Sequence, residues 1–138
     1  MFLYEFTKFL GWVVVIGFCF GLSNWLLKAV NKKWVSKWPA ERKPLTDAYR
    51  TLMRIVIKAH KPAGLVTATA LLVHFILMFT QIGLSVTGII ALACLLSLVC
   101  LGIYGAKFAK VKRGKWLIVH RTLGFVLILA ILVHLLFK

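Results

Sequence analysis

The sequence predicts an all-α membrane protein, an antiparallel four-helix transmembrane bundle. Three observations predict it. The chain has 138 residues and is 62% hydrophobic, with a mean hydropathy of +0.94, far above an ordinary soluble domain. It holds four apolar runs near the roughly 17 to 25 residues that a helix needs to cross hydrocarbon. Fifteen of its 18 basic residues lie between those runs. Lipid offers no partners to an open strand edge, so helices are the form expected of the spans.

The first span is expected at about 9–27. Glu5 beside Lys8 makes a weak positive n-region, the apolar run is long for a signal peptide, and no A-x-A site follows, so it reads as a mature span. Residues 28–62 form a polar segment, with breaks at Trp38-Pro39 and Lys43-Pro44. Thr46 followed by Asp47 reads as a helix start, with the hydroxyl as cap and the acid near the positive end of the dipole. From there Arg50, Arg54 and Lys58 recur every four residues on one stripe. The second helix is thus expected to begin in the polar segment and run on through the second span, about 63–79. Pro62 removes one backbone hydrogen bond and is expected to bend it.

The third span is expected at about 84–104. Its Gly88, Ala91, Ala93 and Ser97 are small enough for close helix packing. A short basic loop leads to the fourth span, about 116–137. The connections are short, so residues 1–138 read as one domain.

The charge sets the expected topology. Ten Lys and Arg lie between Lys28 and Lys61, and six more between Lys107 and Arg121. The loop around Thr80-Gln81-Ile82-Gly83 has none. The positive-inside rule then places both basic loops in the cytoplasm and both termini outside, in a cell membrane. Basic loops beside spans are explained by topology and by membrane lipid, so nucleic acid is not an expected partner. Cys19, Cys94 and Cys100 all fall inside spans, with no C-x-x-C or C-x-x-C-H. That speaks against covalent haem, zinc ribbons and iron–sulfur sites, and leaves the cysteines as small core residues. The five Trp residues fall near span ends, as in an aromatic belt.

The four histidines carry the functional signal. They are His60, His74, His120 and His134, two pairs with the same fourteen-residue spacing. On an α-helix fourteen residues return to within about 40° and rise about 21 Å. Each pair therefore shares a face but sits near opposite sides of a hydrocarbon layer about 30 Å thick. The second and fourth helices run the same way in the expected topology. Two levels result: His60 with His120 on the cytoplasmic side, His74 with His134 on the far side. A facing pair of imidazoles is what axial ligation of haem iron needs. Gly64 and Gly124 lie four residues after a histidine, on the same face, where a flat macrocycle needs room. Arg54, Lys58, Lys61 and Arg121 lie at the inner level, within reach of haem propionates. At the outer level Lys8 and Lys138 are the basic candidates.

The pattern H-[KR]-x-x-G, with a second His fourteen residues after the first, resembles the haem helices of ferric-reductase-like and cytochrome b561-like membrane cytochromes. The HRTLG of residues 120–124 is especially similar to the ferric-reductase type. The resemblance covers about residues 50–138. It implies two non-covalent b-type haems and electron transfer across the bilayer. Many ferric-reductase-like proteins have six helices and an attached flavin and nicotinamide domain. This chain shows four spans and no glycine-rich dinucleotide fingerprint, so oxidation of NAD(P)H would need another subunit.

The function expected is transmembrane electron transfer between a redox partner protein and either a quinone or an extracytoplasmic acceptor such as ferric iron or superoxide. Gln81 and Ser85 are candidate quinone contacts near the outer level. The alternative is a haem-binding anchor subunit of a larger oxidoreductase complex. A haem-free, histidine-lined transporter is the third reading. It lacks carboxylates in the spans, since Glu5, Glu41 and Asp47 all lie outside them, and hard cations want oxygen ligands.

Overall fold

The computed structural model describes residues 1–110 and 114–137. All regular structure among the described residues is helical. Helix α1 covers Phe2–Lys33, α2 Lys43–Ile82, α3 Val86–Lys107 and α4 Lys115–Leu136. Two 3-10 turns, Val35–Lys37 and Ala40–Arg42, lie between α1 and α2. All four α-helices are long and apolar enough to cross a membrane.

Two boundaries differ from the sequence reading. Helix α1 continues past the expected span at both ends, because the flanking Glu, Lys and Asn residues are tolerated in a helix that extends into water. Helix α2 begins at Lys43 rather than after a Thr46 cap. Pro44 sits in its first turn, where a missing N–H costs nothing. The Thr46 hydroxyl instead donates to the Arg42 carbonyl at 3.2 Å. Helix α2 is continuous through Pro62.

The chain divides into two compact units: Met1–Val15 with Ala68–Lys138, and Ile16–Thr67. In the first unit α3 packs on α4. Gly88 meets His134, Gly102 meets His120, and Gly105 meets Trp116. The α3 number rises as its α4 partner's falls, so the two helices run in opposite directions. Leu95, Leu98 and Leu127 are buried in this unit. A Cβ on Gly105 would overlap the Trp116 indole, so this glycine is what lets the two helices approach here. Gly83, at a φ of 97°, ends α2 in the left-handed conformation that favours glycine. Ser85 then caps α3, its hydroxyl accepting from Gly88 N–H at 3.3 Å. At the other edge of the unit, Gln81 Nε2 donates to Thr7 Oγ1 at 3.0 Å, and Thr7 is fully buried.

In the second unit, residues 16–33 of α1 lie against 43–67 of α2. Gly17 meets Thr67 so closely that a Cβ there would overlap the threonine hydroxyl. Gly21 meets His60, and Tyr49 OH donates to the Leu27 carbonyl at 2.9 Å. These helices also run in opposite directions. Val35, Val56 and Thr67 are buried.

Large apolar side chains on every helix remain exposed, Phe9, Trp12, Leu65, Ile76, Ile90 and Leu129 among them. A water-soluble monomer rarely exposes so much contiguous apolar surface, and lipid is its natural cover. The same physics corrects the reading of the cysteines as core residues. Cys19 and Cys100 are exposed and only Cys94 is half-buried; where lipid surrounds the helices, a small hydrophobe is as stable on the outside.

Candidate functional site

Each of the four imidazoles is seated against a glycine of another helix. In the first unit, a Cβ on Gly11 would lie 3.0 Å from His74 Cε1, and one on Gly88 3.4 Å from His134 Cε1. One on Gly102 would lie 3.7 Å from His120 Cε1. In the second unit, a Cβ on Gly21 would lie 3.7 Å from His60 Cε1. All four rings are half-buried. In every case Cε1, the carbon between the two ring nitrogens, is the atom nearest the glycine. Gly88 and Gly102 are themselves fourteen residues apart, the spacing of the histidines they meet.

The glycines have a second effect. In an α-helix the carbonyl of residue i bonds to the N–H of residue i+4. The side chain of i+4 lies beside that carbonyl, and glycine uncovers it. Gly11 stands four residues after Thr7, and the Thr7 carbonyl lies 2.8 Å from His74 Nδ1. A carbonyl can only accept, so the proton belongs on Nδ1. Neutral His74 then carries its lone pair on Nε2. Proteins orient metal-binding histidines by tying one ring nitrogen to a backbone carbonyl in this way.

Gly102 stands likewise four residues after Leu98. His120 Nδ1 is buried with no hydrogen-bond partner among the described residues. Trp116 also borders this ring, edge-on, with centroids 6.5 Å apart and planes at 62°. Trp116 is thus part of the His120 surroundings and not only a belt residue. His134 uses a side chain instead: its Nδ1 lies 3.0 Å from Thr87 Oγ1, which is 3.0 Å from Ser85 Oγ. Either hydroxyl of that pair can donate, so Thr87 can accept from Nδ1–H or donate to a bare Nδ1.

Among the sequence-predicted residues, Gly64 and Gly124 have nothing within 4 Å of where a Cβ would stand. Each lies one turn along its helix from His60 or His120, so the space a flat group would need beside each is open. Arg54, Lys58, Lys61 and Arg121 are exposed. Helical geometry sets Arg54 and Lys58 about 120° and 160° round α2 from His60, and Arg54 bonds to Thr51 Oγ1 at 3.1 Å. Lys8 pairs with Glu5 at 2.7 Å, and Lys138 lies outside the described residues. Gln81 and Ser85, the quinone candidates, bond to Thr7 and Leu77 and to Thr87 and Gly88. Among the described residues no three His, Cys, Asp or Glu side chains gather to hold a bare ion.

Sequence reasoning found the histidines and missed their seats: Gly11, Gly21, Gly102, Thr87 and Trp116. A signal was present in Gly17-Phe18-Cys19-Phe20-Gly21, a G-x-x-x-G that marks close helix approach. No protein-family model, curated protein or solved structure matches the chain. The likeness to ferric-reductase-like and cytochrome b561-like proteins therefore rests on the two histidine motifs.

Proposed function

We propose that the chain is a transmembrane electron-transfer cytochrome holding two non-covalent b-type haems, one between His60 and His120 and one between His74 and His134. The pairing comes from the repeat spacing in the sequence. The observation that supports the reading most is the common seat of the imidazoles: four rings, each with Cε1 against a glycine, and His74 fixed with its proton on Nδ1 by the Thr7 carbonyl. A single packing histidine would also pair its N–H and sit against a small residue; it is the repetition at all four histidines that favours ligation. When bound, haem supplies a one-electron Fe(III)/Fe(II) couple and four equatorial nitrogens.

The chain's own residues do the remainder. The histidines ligate, the glycines of α1 and α3 hold the rings, and Gly64 and Gly124 leave room beside them. The apolar helices keep water from the cofactors, and Lys61 and Arg121, each next to a ligand, supply positive charge toward the propionates, whereas Arg54 and Lys58 lie on other sides of α2. Positive-inside charge supports a cell membrane location with both basic loops in the cytoplasm. A redox protein docked on that face and an acceptor on the other, a quinone or an extracytoplasmic oxidant, complete the path. Gln81 and Ser85 already spend their side chains on α1 and α3, so a quinone at the outer end would need other contacts. The anchor-subunit alternative shares the haems and differs in turnover: rapid reoxidation of the reduced protein by a quinone or superoxide separates the two.

The test is the spectrum of single-histidine variants. His74→Ala and His60→Ala should each lose one of two haems and leave the other's α-band and potential in place. Two full haems in both variants would overturn the ligand assignment.

A further inference from the structure

We propose that the second unit carries a site for the phosphate of an anionic phospholipid, built at the start of α2 from Lys43 and Arg50 beside Trp38. A cleft of about 230 Å³ lies there, lined by the 3-10 turns and the first two turns of α2. Lys43 and Arg50 lie seven residues apart, two turns along one face of α2, and both line the cleft. Neither forms an ion pair among the described residues. Asp47 also lines the cleft, so its charge is net +1 from Lys43, Asp47 and Arg50, inside a polar segment of much higher positive charge. Trp38 and Pro39 form an apolar wall, while the Ser36 and Thr46 hydroxyls donate to the Lys32 and Arg42 carbonyls.

The level of the cleft selects a lipid over other anions. The Tyr49 hydroxyl bonds to the Leu27 carbonyl at 2.9 Å. Leu27 closes the apolar run of α1, and Tyr49 precedes Arg50. That bond brings the first turns of α2 level with the edge of the hydrocarbon, where headgroup phosphates lie. Trp34 beside it has Lys33 Nζ 4.7 Å over its ring, as fits an interfacial aromatic. This inference stands apart from the haem reading and uses none of its residues.

The test uses the full chain purified in detergent and transferred to phosphatidylcholine nanodiscs with a rising fraction of phosphatidylglycerol. Native mass spectrometry counts the phosphatidylglycerol retained per chain. A basic residue near an anionic surface changes binding about fivefold, so the Lys43→Gln/Arg50→Gln double variant should lose about 25-fold of the preference. Lys43→Arg/Arg50→Lys should keep it. Lys107→Gln/Lys110→Gln, which removes two charges elsewhere, should also keep it. Equal loss in both Gln pairs would mean diffuse surface charge and would overturn the site. Displacement of the lipid by millimolar inorganic phosphate would show a free-anion site and overturn the lipid assignment. Far-ultraviolet circular dichroism of each variant separates lost binding from lost folding.

Discussion

Gly11→Ala probes the seat of His74 with one methyl group. The new Cβ would stand 3.0 Å from His74 Cε1 and 3.4 Å from Nδ1. Carbon contacts are most favourable at about 3.5–4.0 Å, so the ring must retreat by roughly 0.5–1 Å. The 2.8 Å bond from Nδ1 to the Thr7 carbonyl then stretches beyond the usual limit of about 3.2 Å. Losing it costs about 0.5–1.5 kcal/mol. Replacing glycine by alanine inside a helix returns about 0.5–1 kcal/mol. The two nearly cancel, so the apoprotein should unfold within a few degrees of the wild type. Cofactor binding should not be spared. Loss of the group that orients a metal-bound histidine weakens affinity about 10- to 100-fold. The assay is titration of haem into apoprotein in detergent, followed by Soret absorbance, beside thermal unfolding by circular dichroism. The expected result is one haem bound as in the wild type, the other weakened, and little change in melting. Wild-type affinity for both haems would refute the reasoning, and so would a large drop in stability with no change in affinity.

Four further variants test neighbouring parts of the account. Gly64→Ala and Gly124→Ala meet nothing within 4 Å, so each apoprotein should be unchanged or stabilised by about 0.5–1 kcal/mol, while haem occupancy falls because the methyl enters the macrocycle's space; chemical denaturation and Soret titration report the two effects separately. Thr87→Val removes the hydroxyl 3.0 Å from His134 Nδ1 and should weaken the His74/His134 haem about 10- to 100-fold, with a shifted midpoint potential for that haem alone in a redox titration. Gly105→Ala forces a methyl into the Trp116 indole and should destabilise the fold by about 1–3 kcal/mol. Adding Trp116→Phe should recover part of that loss, a non-additive pair in a double-mutant cycle of unfolding free energies.

The sequence made the four membrane helices legible because hydropathy alone decides which segments avoid water. It located the histidines because they are rare, polar and repeated in an apolar chain. It did not reveal how the rings are held. Gly11 and Gly102 look like any small residue in an apolar helix; their role depends on a ring on a different helix, paired at a register that no local pattern encodes. The start of α2 was misplaced for a related reason. Thr46 and Asp47 satisfy the local chemistry of a cap, but Pro44 is equally acceptable in a first turn, and the 3-10 turns before it let the helix begin at Lys43. Trp116 reads as an interface residue from its position near a span end, whereas its contact with Gly105 arises only when α3 and α4 pair.

The central claim is that facing imidazoles hold a haem at each of two depths. A pyridine haemochrome assay on the purified full-length chain, set against protein concentration from amino-acid analysis, measures it most directly. The account predicts two equivalents of haem b per chain, extractable by acid-acetone. A colourless protein that takes up no haem when the apo form is titrated would contradict it.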